Sequence, residues 1–364
     1  MIEFDVIIVG GGIAGASFGA EISGSRRTLI LEAENQCGYH STGRSAAFYL
    51  ESYGGPDVAK LTLASRDFLA SPPKEFSQNG FLRVRGDLHV TRDELPPVPS
   101  TIETRIVERA ELERLIPGLR PTWRRALFEP GCADIDVSGL HAAYLRQFHR
   151  KGGVVQTGTK LVRAQRRAGS WTVTLEDGAT LSASILVNAA GAWADSVAQA
   201  AGVRRLGIAP MRRTMVQLRV GQSGLKDLPL VDDAQGTFYF KGEGDNSLWL
   251  TPHDEIPSEP CDVRPEELDV ALAIDRFQKV VDWPVQRVER TWAGLRSFAP
   301  DRLPVYGFDT SVPGFFWCAG QGGFGIQTSP AAAKLGAAVL LEDDASPLVA
   351  HINPALFSPA RLDR

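Results

Sequence analysis

The chain opens with an apolar run followed by glycines. Residues 6–9 (VIIV) are β-branched and carry no solvent-facing polar position, as in a strand buried on both faces of a parallel sheet. Gly10, Gly12 and Gly15 follow in the spacing G-x-G-x-x-G, and residues 14–22 are small and apolar enough to form the helix behind them. A second apolar strand is predicted over residues 28–31, ending at Glu32, 20 positions after Gly12. Strand, glycines, helix, strand and acid in this register predict a dinucleotide-binding unit. The first glycine allows a tight turn, the second lets backbone approach a pyrophosphate, and the third lets helix pack on strand. The helix N-terminus then faces the phosphates. Glu32, an acid with no basic residue in its place, suits a free ribose 2′-hydroxyl, hence FAD or NAD rather than NADP.

The pattern then changes character several times. Residues 38–43 form an extended loop of small and hydroxyl residues, with Ser45, Ala46 and Ala47 predicted to open a helix. Residues 57–70 carry Val58, Leu61, Phe68 and Leu69 at helical spacing, and residues 81–90 suit strands. Pro96, Pro97 and Pro99 break the chain, residues 108–115 predict a short helix, and Pro130-Gly131 marks a turn. Ser138 is the expected cap of a helix with Leu140, Tyr144 and Phe148 on one face, stopped by Gly152-Gly153. Val154-Val155 resumes the parallel sheet, residues 160–167 and 171–175 form a hairpin-like pair, and Asp177-Gly178 is a turn. Residues 185–191 read as a buried strand ending in small residues, with a helix from Ala192. Its terminal glycine is where an α/β sheet places ligands.

Residues 215–220, 237–240, 248–250 and 289–296 read as strands of an antiparallel sheet, with a helix over residues 264–281. Residues 315–319 are the expected last buried strand. A glycine loop over residues 321–327 then leads to a helix from Ser329-Pro330 through Leu341. A helix N-terminus beside three glycines in four positions favours negative charge on whatever the loop holds.

Composition narrows the function. The chain has 364 residues, 43% hydrophobic and 23% charged, ordinary for a soluble enzyme of two domains. A net charge of −4 leaves no electrostatic footprint for nucleic acid. Cys37, Cys132, Cys261 and Cys318 show neither a C-x-x-C pair nor metal-ligand spacing, so they read as reduced thiols and no metal site is expected. Glu3 and Asp5 precede the first apolar stretch, where a signal peptide needs positive charge. No window reaches the roughly 20 apolar residues of a membrane span. The expected location is cytoplasmic, with peripheral contact at the inner membrane left open.

The segments GGGIAGAS (10–17), GYHSTGRSAA (38–47), NAAGAW (188–193), TWAGLRSF (291–298) and QGGFGIQTS (321–329) carry a family resemblance through nearly the whole chain. The sequence resembles the D-amino acid oxidase/dehydrogenase group of FAD enzymes, most closely its bacterial D-arginine dehydrogenase branch. The resemblance implies an α/β fold in which a Rossmann-like FAD-binding domain is interleaved with an α+β substrate domain on a mixed, largely antiparallel sheet. Residues 1–50, 135–209 and 300–364 are assigned to the first, and 51–134 and 210–299 to the second.

The expected FAD contacts are Gly10, Gly12, Ala14, Gly15, Glu32 and Ala33; Ser41, Thr42, Gly43, Arg44, Ser45, Ala46 and Ala47; Leu161, Ala190 and Gly191; and Gly322, Gly323, Phe324, Gly325, Ile326 and Gln327. Arg44 either neutralises phosphate or packs on a loop, and His40 reads as structural. The family's cysteine attachment has no counterpart in residues 291–298, so the FAD is expected to be noncovalent.

For the substrate, the resemblance implies a carboxylate held by Arg213, Arg296 and Tyr239, with Tyr53 in a mobile active-site loop and Gly323 and Gln327 at the reacting end. A guanidinium fork matches a carboxylate bidentately. Arg212 is expected to point to the opposite strand face, at the surface. Asp87 stands where the D-arginine branch has a glutamate for the substrate's distal cation. Phe48, Leu50, Leu230 and Phe324 replace its histidine, threonine, methionine and tyrosine, giving a greasier pocket.

The activity implied is oxidative deamination of D-amino acids with cationic or large apolar side chains, with a quinone or oxygen as electron acceptor. A secondary-amine oxidase and a flavoprotein that binds without turnover are the alternatives.

Overall fold

The computed structural model describes residues 2–95 and 101–363, so the three expected chain-breaking prolines at 96, 97 and 99 lie outside the described residues. The first strand, Ile2–Val9, runs between two parallel neighbours, Thr28–Leu31 and Thr180–Asn188. Val154–Gln156 extends the sheet in parallel beyond Thr28–Leu31. Thr180–Asn188 has a divided outer edge. Its first half pairs antiparallel with Ser170–Leu175, and its last three residues pair in parallel with Phe315–Ala319.

Alternation along the first strand explains its composition. Val6 and Ile8 face a core shared with the helices Ile13–Ile22, Val137–Arg150 and Ser329–Leu341, including Phe18, Phe148 and Leu335. Ile7 and Val9 face the other core, with Leu186, Trp171, Phe315 and Trp317. Both faces are covered, so no position is free to be polar.

The second sheet has ten strands. Its spine is the long antiparallel pair Ala209–Val220 and Val285–Phe298. Ser247–Thr251, Tyr239–Gly242 and Leu230–Asp233 follow antiparallel, and Leu230–Asp233 then pairs in parallel with Asp87–Thr91. Arg125–Glu129 and Arg105–Glu108 complete that side. The architecture is thus an α/β unit and an α+β unit on a mixed, largely antiparallel sheet.

Several local expectations are corrected. Ser45 to Ala47 open no helix. The Ser45 hydroxyl accepts the Ala47 N–H, Ala47 has φ of 27°, and the strand Phe48–Tyr49 follows. A local hydroxyl–backbone bond of this kind competes with helix nucleation. The helix over 137–150 is capped by Asp136, which accepts the Gly139 N–H, while Ser138 sits inside the first turn. Residues 81–90 hold two strands, Leu82–Val84 and Asp87–Thr91, separated by Gly86 at φ of 78°. The helix expected over 264–281 spans Glu267–Gln278. Phe315–Ala319 is the last fully buried strand, as expected, and the half-buried Gln321–Gly322 adds a short rung to the second sheet. Thr328 occupies the cap position of the helix Ser329–Leu341, one residue before the expected serine. Among the described residues no helix is long and apolar enough to cross a membrane.

Candidate active site

A cavity of about 600 Å³ runs from Leu31, Glu32 and Ala33, at the carboxyl end of the second strand, to Arg213, Tyr239 and Arg296 on the second sheet. Its first end is a backbone cradle. Gly10 has φ of 106°, and a β-carbon there would lie 2.4 Å from the Ala189 carbonyl oxygen. A β-carbon on Gly15 would lie 2.0 Å from the Gly10 oxygen, so Gly15 is behind the cradle, where helix meets strand, and does not line the cavity. Glu32 accepts the Gly11 N–H through Oε2 at 2.8 Å and the Glu34 N–H through Oε1 at 2.9 Å. Each oxygen keeps a lone pair for a further donor. The Thr42 hydroxyl accepts the Ile13 N–H at 3.0 Å, tying the small-residue loop to the helix start. His141, which the sequence did not single out, meets the Gly11 oxygen at 2.9 Å, and burial lowers its pKa.

The loop after Glu32 bridges the two sheets. Ser41 donates to the Leu295 oxygen at 2.6 Å. Arg44 spends its guanidinium on the Val263 and Ala293 carbonyls and on Asp262, so it packs on a loop. Gly43 closes the turn by donating to the Gly38 oxygen and does not line the cavity. Gly12, Ala14, Ser45, Ala46, Ala47, Leu161, Ala190, Gly191, Gly322, Gly323, Gly325 and Ile326 do line it.

The second end concentrates charge. Arg296 donates to the Tyr53 hydroxyl and to Glu255, each at 2.6 Å. Arg213 donates through Nε to the Asp254 carbonyl at 2.8 Å, while its Nη2, 3.8 Å from Glu255 Oε1, and the Nε of Arg296 are buried without hydrogen-bond partners. Burial and the neighbouring Arg296 push the Arg213 pKa down to about 10. Burial raises the Tyr239 phenol against the pull of Arg213. His253 lines the same end, its pKa lowered to about 4 by burial and Arg213.

Four expected positions stand elsewhere. Gln327 is buried, accepting the Leu50 N–H and donating to Thr62; it clamps the loop from behind the cavity wall. Phe324 packs edge-on against Tyr53 and Phe298, outside the lining. Asp87 is 0% exposed and lies behind the wall. Arg212 does point away from Arg213, but it is buried, paired with Asp269 at 2.6 Å and with Glu266, because the helix Glu267–Gln278 covers that face.

The acid that does reach this end of the cavity is Asp232, which the sequence reading missed. The run Val231-Asp-Asp-Ala-Gln-Gly236 resembles a polar turn. The available signal was alternation, since Leu230 and Asp232 share one strand face and both line the cavity.

A dinucleotide cradle with two guanidinium groups at the far end of the same cavity is the layout of a nucleotide-dependent oxidoreductase. Residues 5–339 match the family model described as FAD dependent oxidoreductase (DAO), and the chain belongs to that family. FAD is its cofactor, and the crowded glycines and the Glu32 carboxylate fit that group. A bovine protein named FAD-dependent oxidoreductase domain-containing protein 1 is 23% identical, over 97% of this chain and 84% of its own. Among solved structures, glycine oxidase from Geobacillus kaustophilus superposes with a TM-score of 0.82 at 20% identity, covering 99% of each chain. L-proline dehydrogenase from P. horikoshii does so with 0.83 at 18%, covering 100% of this chain and 98% of the other.

Proposed function

We propose that the protein oxidises D-amino acids with cationic or large apolar side chains to imino acids, which water hydrolyses to 2-oxo acids and ammonia. The observation that carries this reading is the pair of buried guanidinium nitrogens without hydrogen-bond partners, Arg213 Nη2, which lies 3.8 Å from Glu255, and Arg296 Nε, at the end of the nucleotide cavity. Buried donors of this kind call for an acceptor, and a substrate carboxylate supplies one. Bound FAD supplies a two-electron acceptor, flavin N5, for the α-hydrogen leaving as hydride. The chain's own work is orientation. Arg213 and Arg296 fix the carboxylate, Tyr53 braces Arg296, and Phe48, Leu50, Met215 and Leu230 offer apolar surface to the side chain.

Asp87, which the resemblance pairs with a distal cation, is walled off from the cavity, so the lining favours the apolar end of that substrate range. The residues resembling the D-arginine branch support the D-amino acid reading. The apolar lining also suits a secondary amine such as sarcosine, an opine or a cyclic imino acid, the last in line with the name of the similar L-proline dehydrogenase.

Turnover of D-arginine, D-lysine, D-leucine, D-phenylalanine, sarcosine and proline with a dye acceptor, with and without oxygen, tests the reading and identifies the class of acceptor. Activity confined to D-aspartate refutes it. Residues 291–298 contain no cysteine, so acid precipitation is expected to release all the flavin.

A further inference from the structure

Behind Asp232 lies a buried polar cluster that the carboxylate clamp does not use. Asp232 is paired across the ladder with His89 on one side and with Tyr239 on the other. His89 Nδ1 lies 2.8 Å from Asp232 Oδ1, and its Nε2 lies 3.6 Å from Asp87 Oδ2 and 3.7 Å from Glu129 Oε2. Asp87 and Glu129 are 0% and 1% exposed, and both Asp87 oxygens, Glu129 Oε2, His89 Nε2 and Asp232 Oδ1 are buried without hydrogen-bond partners, so His89 meets these acids as ion-pair contacts. The other Glu129 oxygen accepts the Glu51 N–H. Asp232, by contrast, keeps 24% of its side chain accessible and lines the cavity.

The remaining charged and titratable groups around Asp232 are accounted for. The Cys132 thiol is buried, and Lys241 is engaged by Asp134 and Glu243. Arg213 and Arg296 act on Tyr239 and Tyr53 beyond the ladder. His89 is therefore the one cation in direct contact with Asp87, Glu129 and Asp232 among the described residues, and the cluster presents a carboxylate to the cavity. Burial opposes charge on His89, but Asp232 and Asp87 outweigh it and raise its pKa.

We propose that Asp232 accepts the proton of the substrate's α-ammonium group, and that His89, backed by Asp87 and Glu129, is the positioning residue that holds it. This rests on the amine-oxidation reading above. Three acids line the cavity, and two of them, Glu32 and Glu34, are at the far end, bonded to backbone N–H groups and to His40. Glu255, engaged by Arg296 and Arg302, stays outside the lining, so Asp232 is the lining carboxylate at the end where the clamp converges, and Tyr239 of that clamp is its ladder partner. A substrate held by its carboxylate has its amine one atom beyond the adjoining carbon, within the reach of a neighbouring ladder position. His253, the other base at this end, contacts the Gly236 oxygen through Nδ1 and is held neutral beside Arg213.

In the step, an N–H bond of the ammonium breaks and an O–H bond forms on Asp232. The freed nitrogen pair becomes the C=N bond as the α-hydrogen leaves Cα with its electron pair for the bound FAD. The substrate is oxidised and the cofactor reduced, and the Asp232 proton later returns to water.

Anaerobic stopped-flow bleaching of the holoenzyme by D-leucine, from pH 6 to 10.5, tests this in the wild type, Asp232→Asn, Asp232→Glu and His89→Gln. General-base removal is expected to slow Asp232→Asn about 100-fold at pH 7. The loss should shrink to about threefold or less near pH 10.5, where the amine arrives neutral. Asp232→Glu should recover part of the neutral-pH rate, and His89→Gln should show a smaller loss with the same alkaline recovery. Binding of 2-aminoisobutyrate, which has no α-hydrogen, should tighten with rising pH in Asp232→Asn more steeply than in the wild type. An Asp232→Asn profile that matches the wild type, or a loss equal at pH 7 and pH 10.5, overturns the assignment. A wild-type holoenzyme that no amino or imino acid bleaches overturns the underlying reading instead.

Discussion

Arg296 donates a 2.6 Å hydrogen bond to the hydroxyl of Tyr53, joining the second sheet to the loop ahead of the helix Gly55–Ala70. This bond fixes one guanidinium of the anion clamp while its Nε stays unpartnered. Arg213→Met and Arg296→Met each remove charge-assisted donors worth about 1.5–3 kcal/mol, so kcat/KM is expected to fall about 10- to 100-fold. Steady-state kinetics should show most of the loss in KM. Tyr53→Phe should cost less, because it frees Arg296 without removing it.

Gly323 controls the same bond from the other side. A β-carbon there would lie 2.5 Å from the Tyr53 hydroxyl and 3.0 Å from Arg296 Nη1. Gly323→Ala is expected to push the two side chains apart and raise KM about tenfold, as loss of one charged hydrogen bond does. The flavin spectrum of the purified variant should stay close to that of the wild type, which separates clamp damage from cofactor loss.

The buried cluster predicts a pH dependence of stability. The folded chain raises the His89 pKa above its ordinary 6.5, mainly through Asp232 and Asp87 acting against burial. The folded state therefore binds the proton more tightly than the unfolded one. The stability this lends is complete below about pH 6.5 and is lost as pH rises through the folded-state value. Urea midpoints between pH 6 and 9 should fall in the wild type. His89→Gln should be less stable at pH 6 and show a flatter decline.

Arg212 supplies a contrast to the clamp. Its ion pair with Asp269 is buried at both partners, with 9% side-chain exposure each. Arg212→Met leaves Asp269 uncompensated, and the expected cost is about 3–5 kcal/mol. Urea unfolding should report that loss, while KM for the substrate stays near the wild-type value because Arg212 does not face the cavity.

The residues that misled and those that did not differ in the range of the interactions that place them. The strand, three glycines, helix and Glu32 are local, and the structure puts strands at Ile2–Val9 and Thr28–Leu31 with the helix between them. Alternation correctly turned Arg212 and Arg213 to opposite faces. It gave no sign that a helix more than fifty residues later would cover Arg212. The sequence likewise shows an acid at 87 and another at 232 on strand-like stretches. Which of them meets the cavity depends on the parallel pairing of Leu230–Asp233 with Asp87–Thr91, a contact across more than a hundred residues that periodicity cannot supply. The turn at Ala47 was hidden for a different reason: one serine hydroxyl redirected a segment whose alanines favour helix.

The short rung Gln321–Gly322 pairs with Val285–Phe298 through Ser297 and Phe298, next to Arg296. Arg296 and the glycines of the cavity lining are thereby tied by one backbone ladder, although they are supplied by segments assigned to different units. Any relative motion of the two sheets must therefore carry Arg296 along with the glycine loop that faces the same cavity.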